Sequence, residues 1–352
     1  MAFRMARLDD VDACIDLLRS DGGWQASNRV WCALPDILRQ GIACESLIVQ
    51  LFTASSATTA NELLALRVSG FLSEPFVARF AQEPLPYISA TVCENWLEGH
   101  SPLLNRRQIA DANALGSLRL GVLHWCVRDR NPASPDTMAV LAQVPSAWQA
   151  AHGGYHVASI ACYEVYGAAQ AAVMSNIGYQ PYRFSSRSES MLAGVADELR
   201  PVCFHAEPTD ARLGAAALMG VSIFQAPPPR FSLTPAQQKL VLAALPGAAD
   251  RQLANLLGIT FDSVRKTWEA LYRRVNDVDA LLLPTAGTAS GHRGSEKRRV
   301  LLDYLRQHPE ELRPYRRRAV AASGMRHQDR RDRVIARQSV QAATPRNDGM
   351  TP

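Results

Sequence analysis

The sequence predicts an α/β domain followed by an all-α unit. Residues 1–200 alternate strand-like and helix-like apolar patterns, whereas residues 231–275 hold three helical patterns with clear start and stop signals. Charge divides along the same line. Residues 229–352 carry 22 basic and 12 acidic side chains, a net of +10 within a whole-chain charge of +5, which leaves −5 for residues 1–228.

The α/β pattern begins at residues 3–18, which predict a short strand and then a helix. Asp9 is placed as the N-cap, and Val11, Ile15 and Leu18 form the buried face. Residues 46–52, 63–72 and 118–127 are apolar and partly β-branched, as strands require. Residues 163–175 predict a helix, and a last strand runs toward Phe184. Pro227-Pro228-Pro229 then makes a stiff spacer, so residues 201–230 are predicted as a connector.

In the all-α unit, Thr234 precedes Pro235 and has Gln237 three residues on, a capping box with proline at the first helical position. Leu240, Val241, Ala244 and Leu245 follow at helical spacing until Pro246-Gly247 stops the helix. Asp250 is placed as the cap of a second helix, with Leu253, Ala254 and Leu257 on one face and Gly258 closing it. Thr260 caps a third helix over residues 261–275, with Val264, Trp268, Leu271 and Val275 inward. Its outer face is expected to hold Ser263, Arg265, Lys266 and Thr267 near the start and Arg273 and Arg274 near the end.

Two short helices joined by a tight turn are what a helix-turn-helix needs. There the second helix points its first residues at base edges in the major groove. Arg and Lys suit guanine, and Ser and Thr suit either pair, while the later arginines suit phosphates. An ordinary surface helix with solvated charges is the competing reading. The coincidence of caps, turn, short helix and basic face favours double-stranded DNA as the partner.

The same segment resembles the LuxR/GerE-type DNA-binding domain of bacterial transcription regulators. The resemblance rests on Leu233-Thr234, Val241-Leu242, Gly247, Leu253-Ala254, Leu257-Gly258-Ile259-Thr260, Ser263-Val264-Arg265, Leu271-Tyr272 and Arg274-Val275. The family's usual first-helix glutamate is Gln237 or Gln238 here, and its histidine after the basic pair is Thr267, followed by Trp268. The resemblance implies DNA binding and a homodimer; a fourth helix over residues 277–283 would help to form the dimer. It does not imply a target sequence.

The first 200 residues are similar in plan to the GNAT acyltransferase fold, a mixed sheet with helices. The likeness rests on the opening residues and on residues 171–179, Ala-Ala-Val-Met-Ser-Asn-Ile-Gly-Tyr. That family holds the pyrophosphate of coenzyme A on a Gly-rich turn at a helix N-terminus. No such turn is found; residues 113–116, Asn-Ala-Leu-Gly, come nearest without fitting. A catalytic role is therefore not expected.

Other candidates are weak. Glu164 and Tyr166 could serve as base and acid, but a surface Glu beside a packed Tyr on a helix is commoner. His152 and His156 have metal-ligand spacing, yet Gly153-Gly154 lies between them and argues for a loop. His124 sits in a strand as core or outward polar residue. Asp9-Asp10 imitates the acidic pair of a phosphorylated receiver domain, without a strand-ending phosphoacceptor Asp near the middle.

The 352 residues suffice for two domains and a tail. The seven cysteines (14, 32, 44, 93, 126, 162 and 203) form no C-x-x-C pair, as expected for reduced thiols in the cytoplasm. No signal peptide is expected, and residues 213–224 are too short to span a bilayer, so no membrane partner is expected. The expected organisation is a GNAT-like domain over 1–200, a connector over 201–230 and the DNA-binding unit over 231–284. A loop and basic helix over 285–315 follow, then a disordered Arg-rich tail over 316–352.

The functional expectation is a transcription regulator without a cofactor, whose first domain senses a small molecule of unknown identity or mediates dimerisation. The alternatives are an acyltransferase using acetyl-CoA fused to a DNA-binding module, a response regulator, and a protein-binding helical module.

Overall fold

A seven-stranded mixed sheet organises the first two-thirds of the chain. The computed structural model describes residues 2–54, 62–208, 223–224, 226–284 and 293–316. The strands are β1 (Ala2–Met5), β2 (Ile48–Thr53), β3 (Leu63–Phe71), β4 (Leu118–Val127), β5 (Val157–Tyr166), β6 (Gln180–Pro181) and β7 (Pro201–Ala206). Their order is β1-β2-β3-β4-β5-β7-β6. Only β4 and β5 are parallel; the other neighbours are antiparallel.

A parallel pair needs a long crossover, and α6 (Pro135–His152) supplies it. The pairing of β4 with β5 starts at Leu118 and Val157 and ends at Val122 and Tyr163. Beyond that point β4 runs on to Val127 and β5 to Tyr166, unpaired with each other.

Helices cover both faces, which explains why β2 and β3 are buried at every position. On one face α1 (Val11–Ser20), α2 (Asn28–Ala43) and α4 (Ile88–Leu97) pack with α3 (Glu74–Gln82) around Leu51, Leu66, Val68 and Cys126. On the other, α5 (Arg106–Leu115) and α6 contribute Ile109, Trp148 and Ala151 against Phe71, Leu120 and Ile160. The short helices α7 (Ala168–Asn176) and α8 (Ser186–Ser190) complete the region.

The all-α unit contains α9 (Pro235–Ala244), α10 (Asp250–Leu257), α11 (Phe261–Val278) and α12 (Arg293–Gln307). The Thr234–Gln237 capping box is present, and the Thr260 hydroxyl accepts from Ser263 N–H. Val264, Trp268, Leu271 and Val275 are buried together with Leu240, Val241, Leu253, Leu301 and Leu305.

Several expectations are corrected. Residues 163–175 are not one helix: they divide at Gly167 into the end of β5 and α7. The run Val157, Ile160, Tyr163, Val165 and Tyr166 is rich in side chains that pack well on a pleated surface. Residues 201–206 form β7, inside the sheet, so the connector begins after Ala206. Ala249, not Asp250, occupies the N-cap of α10; Gln252 accepts from its N–H. At the N-terminus Asp10, not Asp9, makes the turn contacts, accepting from Arg7 N–H and pairing with Arg4. The third helix runs to Val278, which removes the separate helix expected at 277–283. The basic helix expected within residues 285–315 ends at Gln307, because Pro309 starts a 3-10 turn over Pro309–Leu312. The tail beyond Arg316, the loop at 285–292 and most of the apolar run at 213–224 lie outside the described residues.

The chain up to Tyr315 is one compact unit. Residues 309–314 join its two parts. Glu311, buried, accepts from Phe231 N–H, and Gln238 donates to the Glu311 and Arg313 carbonyls. On the sheet side Arg313 donates to Ala150 O and Gly153 O at the end of α6 and lies over the Tyr155 ring. Asn113 donates to Pro314 O. Among the described residues no helix is long and apolar enough to cross a membrane.

Candidate functional site

Two regions carry concentrated polar chemistry. The first is the outer face of α11. Arg265, Lys266 and Arg273 are exposed. Arg265 lies 3.3 Å from Asp262 and 3.9 Å from Glu269, and Lys266 Nζ lies 2.8 Å from Asp262. The Asp262 contact pushes the Lys266 ammonium up and the Asp262 carboxyl down, although both are fully exposed and screened by water.

Ser263 and Thr267 are half-buried and locally bonded: Ser263 Oγ is 2.8 Å from Thr260 Oγ1, and Thr267 donates to Ser263 O. Arg274 is drawn back from the outer face and donates to Ser232 O. The helix therefore presents three exposed cations, two of them paired along the helix with Asp262 and Glu269, while Ser263, Thr267 and Arg274 are tied back to the protein.

The second region is a buried chain of polar groups beside the parting of β4 and β5. Asp21, at the end of α1, has one carboxylate oxygen 2.9 Å from His124 Nε2 and the other 2.7 Å from Arg130. Tyr166 Oη lies 3.3 Å from His124 Nδ1 and 2.6 Å from Glu164 Oε1. The second Glu164 oxygen accepts from Ile88 N–H at 3.0 Å and faces the Cys203 thiol at 3.5 Å. Asp21, His124, Glu164 and Cys203 are all buried, and Trp24 closes edge-on over His124 at 4.9 Å.

Burial pushes the Glu164 carboxyl up, against the pull of its hydrogen bonds to Tyr166 and Ile88. The Tyr166 hydroxyl donates to Glu164 Oε1 and lies beside His124 Nδ1, and His124 Nε2 meets Asp21, so the four side chains form one connected buried chain.

Ligand atoms of Asp21, His124 and Cys126 lie within 4.8 Å of one another. Arg130 already offsets the Asp21 charge, and burial pushes the Cys126 thiol well up. Both oppose a cation at this place.

The structure thus brings Glu164, Tyr166 and His124 together, on strands rather than a helix. It does not join His152 and His156. His152 Nε2 is 2.9 Å from Ser69 Oγ, and His156 packs on Gly116. Asn113 and Gly116 close α5 structurally. Sequence reasoning missed Asp21, Arg130, Cys203 and Arg67. Arg67 carried a usable signal, one charge inside the apolar run of residues 63–71.

No protein-family model matches the chain, and no curated protein matches it. Among solved structures it is similar to the C-terminal condensation domain of Ebony in complex with beta-alanyl-dopamine. That likeness has 13% identity and a TM-score of 0.35, over 58% of this chain and 98% of that one. A likeness at that level assigns neither fold family nor activity.

Proposed function

We propose that the protein is a DNA-binding transcription regulator. In this reading α11 enters the major groove as the recognition helix of a LuxR/GerE-type helix-turn-helix, and a GNAT-like sheet region senses a small molecule or mediates dimerisation. The observation that carries it is the capped, exposed α11 with Arg265, Lys266 and Arg273 outward over a buried Val264, Trp268, Leu271 and Val275 face. Arg265 and Lys266 exchange their intrahelical carboxylates for base edges, and Arg273 takes phosphate. A homodimer would read half-sites one helical turn, or a multiple, apart.

The test is DNA binding by the full chain as a function of salt. Affinity for any duplex falls steeply as salt rises. Enrichment of genomic fragments yields a preferred site, and Arg265→Ala lowers selectivity for it by about 1–3 kcal/mol. Unchanged binding by Arg265→Ala and Lys266→Ala together overturns the assignment of α11.

One observation favours a second reading, an acyltransferase using acetyl-CoA. Beyond Val122 and Tyr163 β4 and β5 are no longer paired beside the His124 chain, as a thioester held between two parting strands would require. Against it, the turn between β4 and α6, residues 128–134, contains no glycine, and Asp136 stands in the first turn of α6 where a pyrophosphate would sit. Calorimetric titration with acetyl-CoA decides; a tight complex revives this reading.

A further inference from the structure

Arg67 is the anomaly of the sheet. It lies in the middle of β3 and is 1% exposed. One of its nitrogens donates to Gln50 Oε1, a neutral acceptor, while its Nε and Nη1 groups have no partner. Among the described residues no carboxylate bonds to it. A buried guanidinium without a counter-ion is costly and is normally paired.

Its neighbours are donors or aromatic walls. The guanidinium lies 5.0 Å from the centre of the Trp148 ring, which is stacked parallel to Tyr163 at 6.2 Å. Tyr179 meets Tyr163 edge-on at 5.7 Å. Trp148 Nε1 and His152 Nδ1, in rings 4.3 Å apart, also lack partners. The unpartnered buried groups here are thus two nitrogens of Arg67, which carry three N–H bonds, the Trp148 indole N–H and one His152 nitrogen. Burial, with Arg67 and Arg313 nearby, pushes His152 well down and keeps it neutral. Arg313 already spends its donors on the last carbonyls of α6.

We propose that Arg67, Trp148 and His152 form a binding site for a small monocarboxylate with an apolar or aromatic body. One uncompensated positive charge matches a single negative charge. The acceptor oxygens of a carboxylate match donors that have none. Trp148, Tyr163 and Tyr179 suit an apolar body. Entry is from the side of Tyr163 and Tyr179, which are only half-buried, next to the place where β4 and β5 part. This deepens the sensing half of the proposed function and rests on that half alone.

The experiment is calorimetric titration of the full chain with sodium benzoate, sodium acetate and inorganic phosphate at constant ionic strength. Benzoate is expected to bind saturably at one site per chain, acetate more weakly, and phosphate at least tenfold more weakly than benzoate. Arg67→Met lowers benzoate affinity at least tenfold. Gln50→Glu places a carboxylate beside Arg67 at the cost of the Gln50 bond to Ala147 O, and it is expected to abolish benzoate binding in the folded protein. This second variant keeps the test open should Arg67→Met fail to fold.

No saturable binding of either carboxylate, preference for phosphate, or unchanged benzoate binding in the folded variants overturns the site. The titration contains no DNA. Its failure leaves the assignment of α11 intact, and failure of the DNA experiment leaves this site intact.

Discussion

Residues 231–278 end their helices by other means than those by which residues 2–206 bury their polar groups. In the helical segment, caps are made three residues away: Thr234 with Gln237, Ala249 with Gln252, Thr260 with Ser263. In the sheet region partners come from afar. Asp21 meets His124 and Arg130, Glu164 meets Ile88, and Ser69 meets His152. Local pairs each contribute about 1 kcal/mol, whereas removing one member of a buried charged group strands the others in low dielectric. The sheet region is therefore expected to depend on single polar residues far more than the helical one does.

The sharpest way to break that comparison is Asp21→Ala. It leaves Arg130 and His124 Nε2 without their shared acceptor. The expected loss is about 3–5 kcal/mol in denaturant unfolding. A loss near 1 kcal/mol would mean that the buried chain is no more demanding than a helix cap.

Gly154→Ala comes next and acts where the two regions meet. Gly154 has φ +82°, and an added Cβ would overlap the Glu310 nitrogen and the Pro309 carbonyl carbon. The backbone conformation alone costs about 1–3 kcal/mol for a residue with a Cβ. Because the obstacle is backbone, residues 309–314 must shift. Hydrogen exchange is expected to rise at Phe231, whose N–H is held by Glu311. Lost stability without faster exchange there would place the damage within the sheet region instead.

A pH series separates the regions more gently. Burial raises Glu164 above its ordinary 4.5, so the folded state holds that proton more tightly than the unfolded chain. Its contribution is therefore most favourable below that value. It declines as pH rises through the raised folded value and is constant beyond. Glu311 is raised in the same direction, also by burial, so its contribution has the same sign. Glu164→Gln removes the titrating carboxyl and keeps one acceptor oxygen, for Ile88 N–H or for the Tyr166 hydroxyl. It is expected to flatten part of the decline in melting temperature between the ordinary and raised values. An unchanged decline would assign the whole effect to Glu311 and its neighbours.

The same contrast explains what was legible in the sequence. Thr234, Pro235, Gly258 and Thr260 mark helix ends because the cap and its partner are neighbours in the chain, so α9, α10 and α11 were readable. The mixed sheet was readable only as a class, from the apolar runs of β2, β3 and β4. Its helices α2 to α6 were not read, partly because Pro35 and Pro145 lie inside α2 and α6 and resemble stops. Glu164 and Tyr166 were singled out, but their partners were not. Asp21 precedes His124 by 103 residues, and it is the packing of α1 on the sheet, through Leu17 and Leu18 against Val68 and Cys126, that brings the two together. No spacing in the sequence encodes such a meeting.

The smallest expected effect is that of Thr260→Ala. Thr260 lies at φ −73° and ψ 154°, the extended shape of an N-cap, and its Oγ1 accepts from Ser263 N–H at 3.1 Å. Alanine keeps the backbone shape and loses the acceptor, at about 1 kcal/mol. Water reaches this exposed turn and replaces part of the bond, which is why the loss stays small. Thr260→Ser keeps the acceptor and is expected to be close to neutral. Chemical denaturation of both variants, compared with Asp21→Ala, measures the contrast directly. A Thr260→Ala loss as large as that of Asp21→Ala would show that α11 leans on this one cap, and the local, distributed character assigned to the helical segment would fail. A small loss with Thr260→Ser near wild type ties the start of α11 to a single neighbouring oxygen, where the sequence placed it.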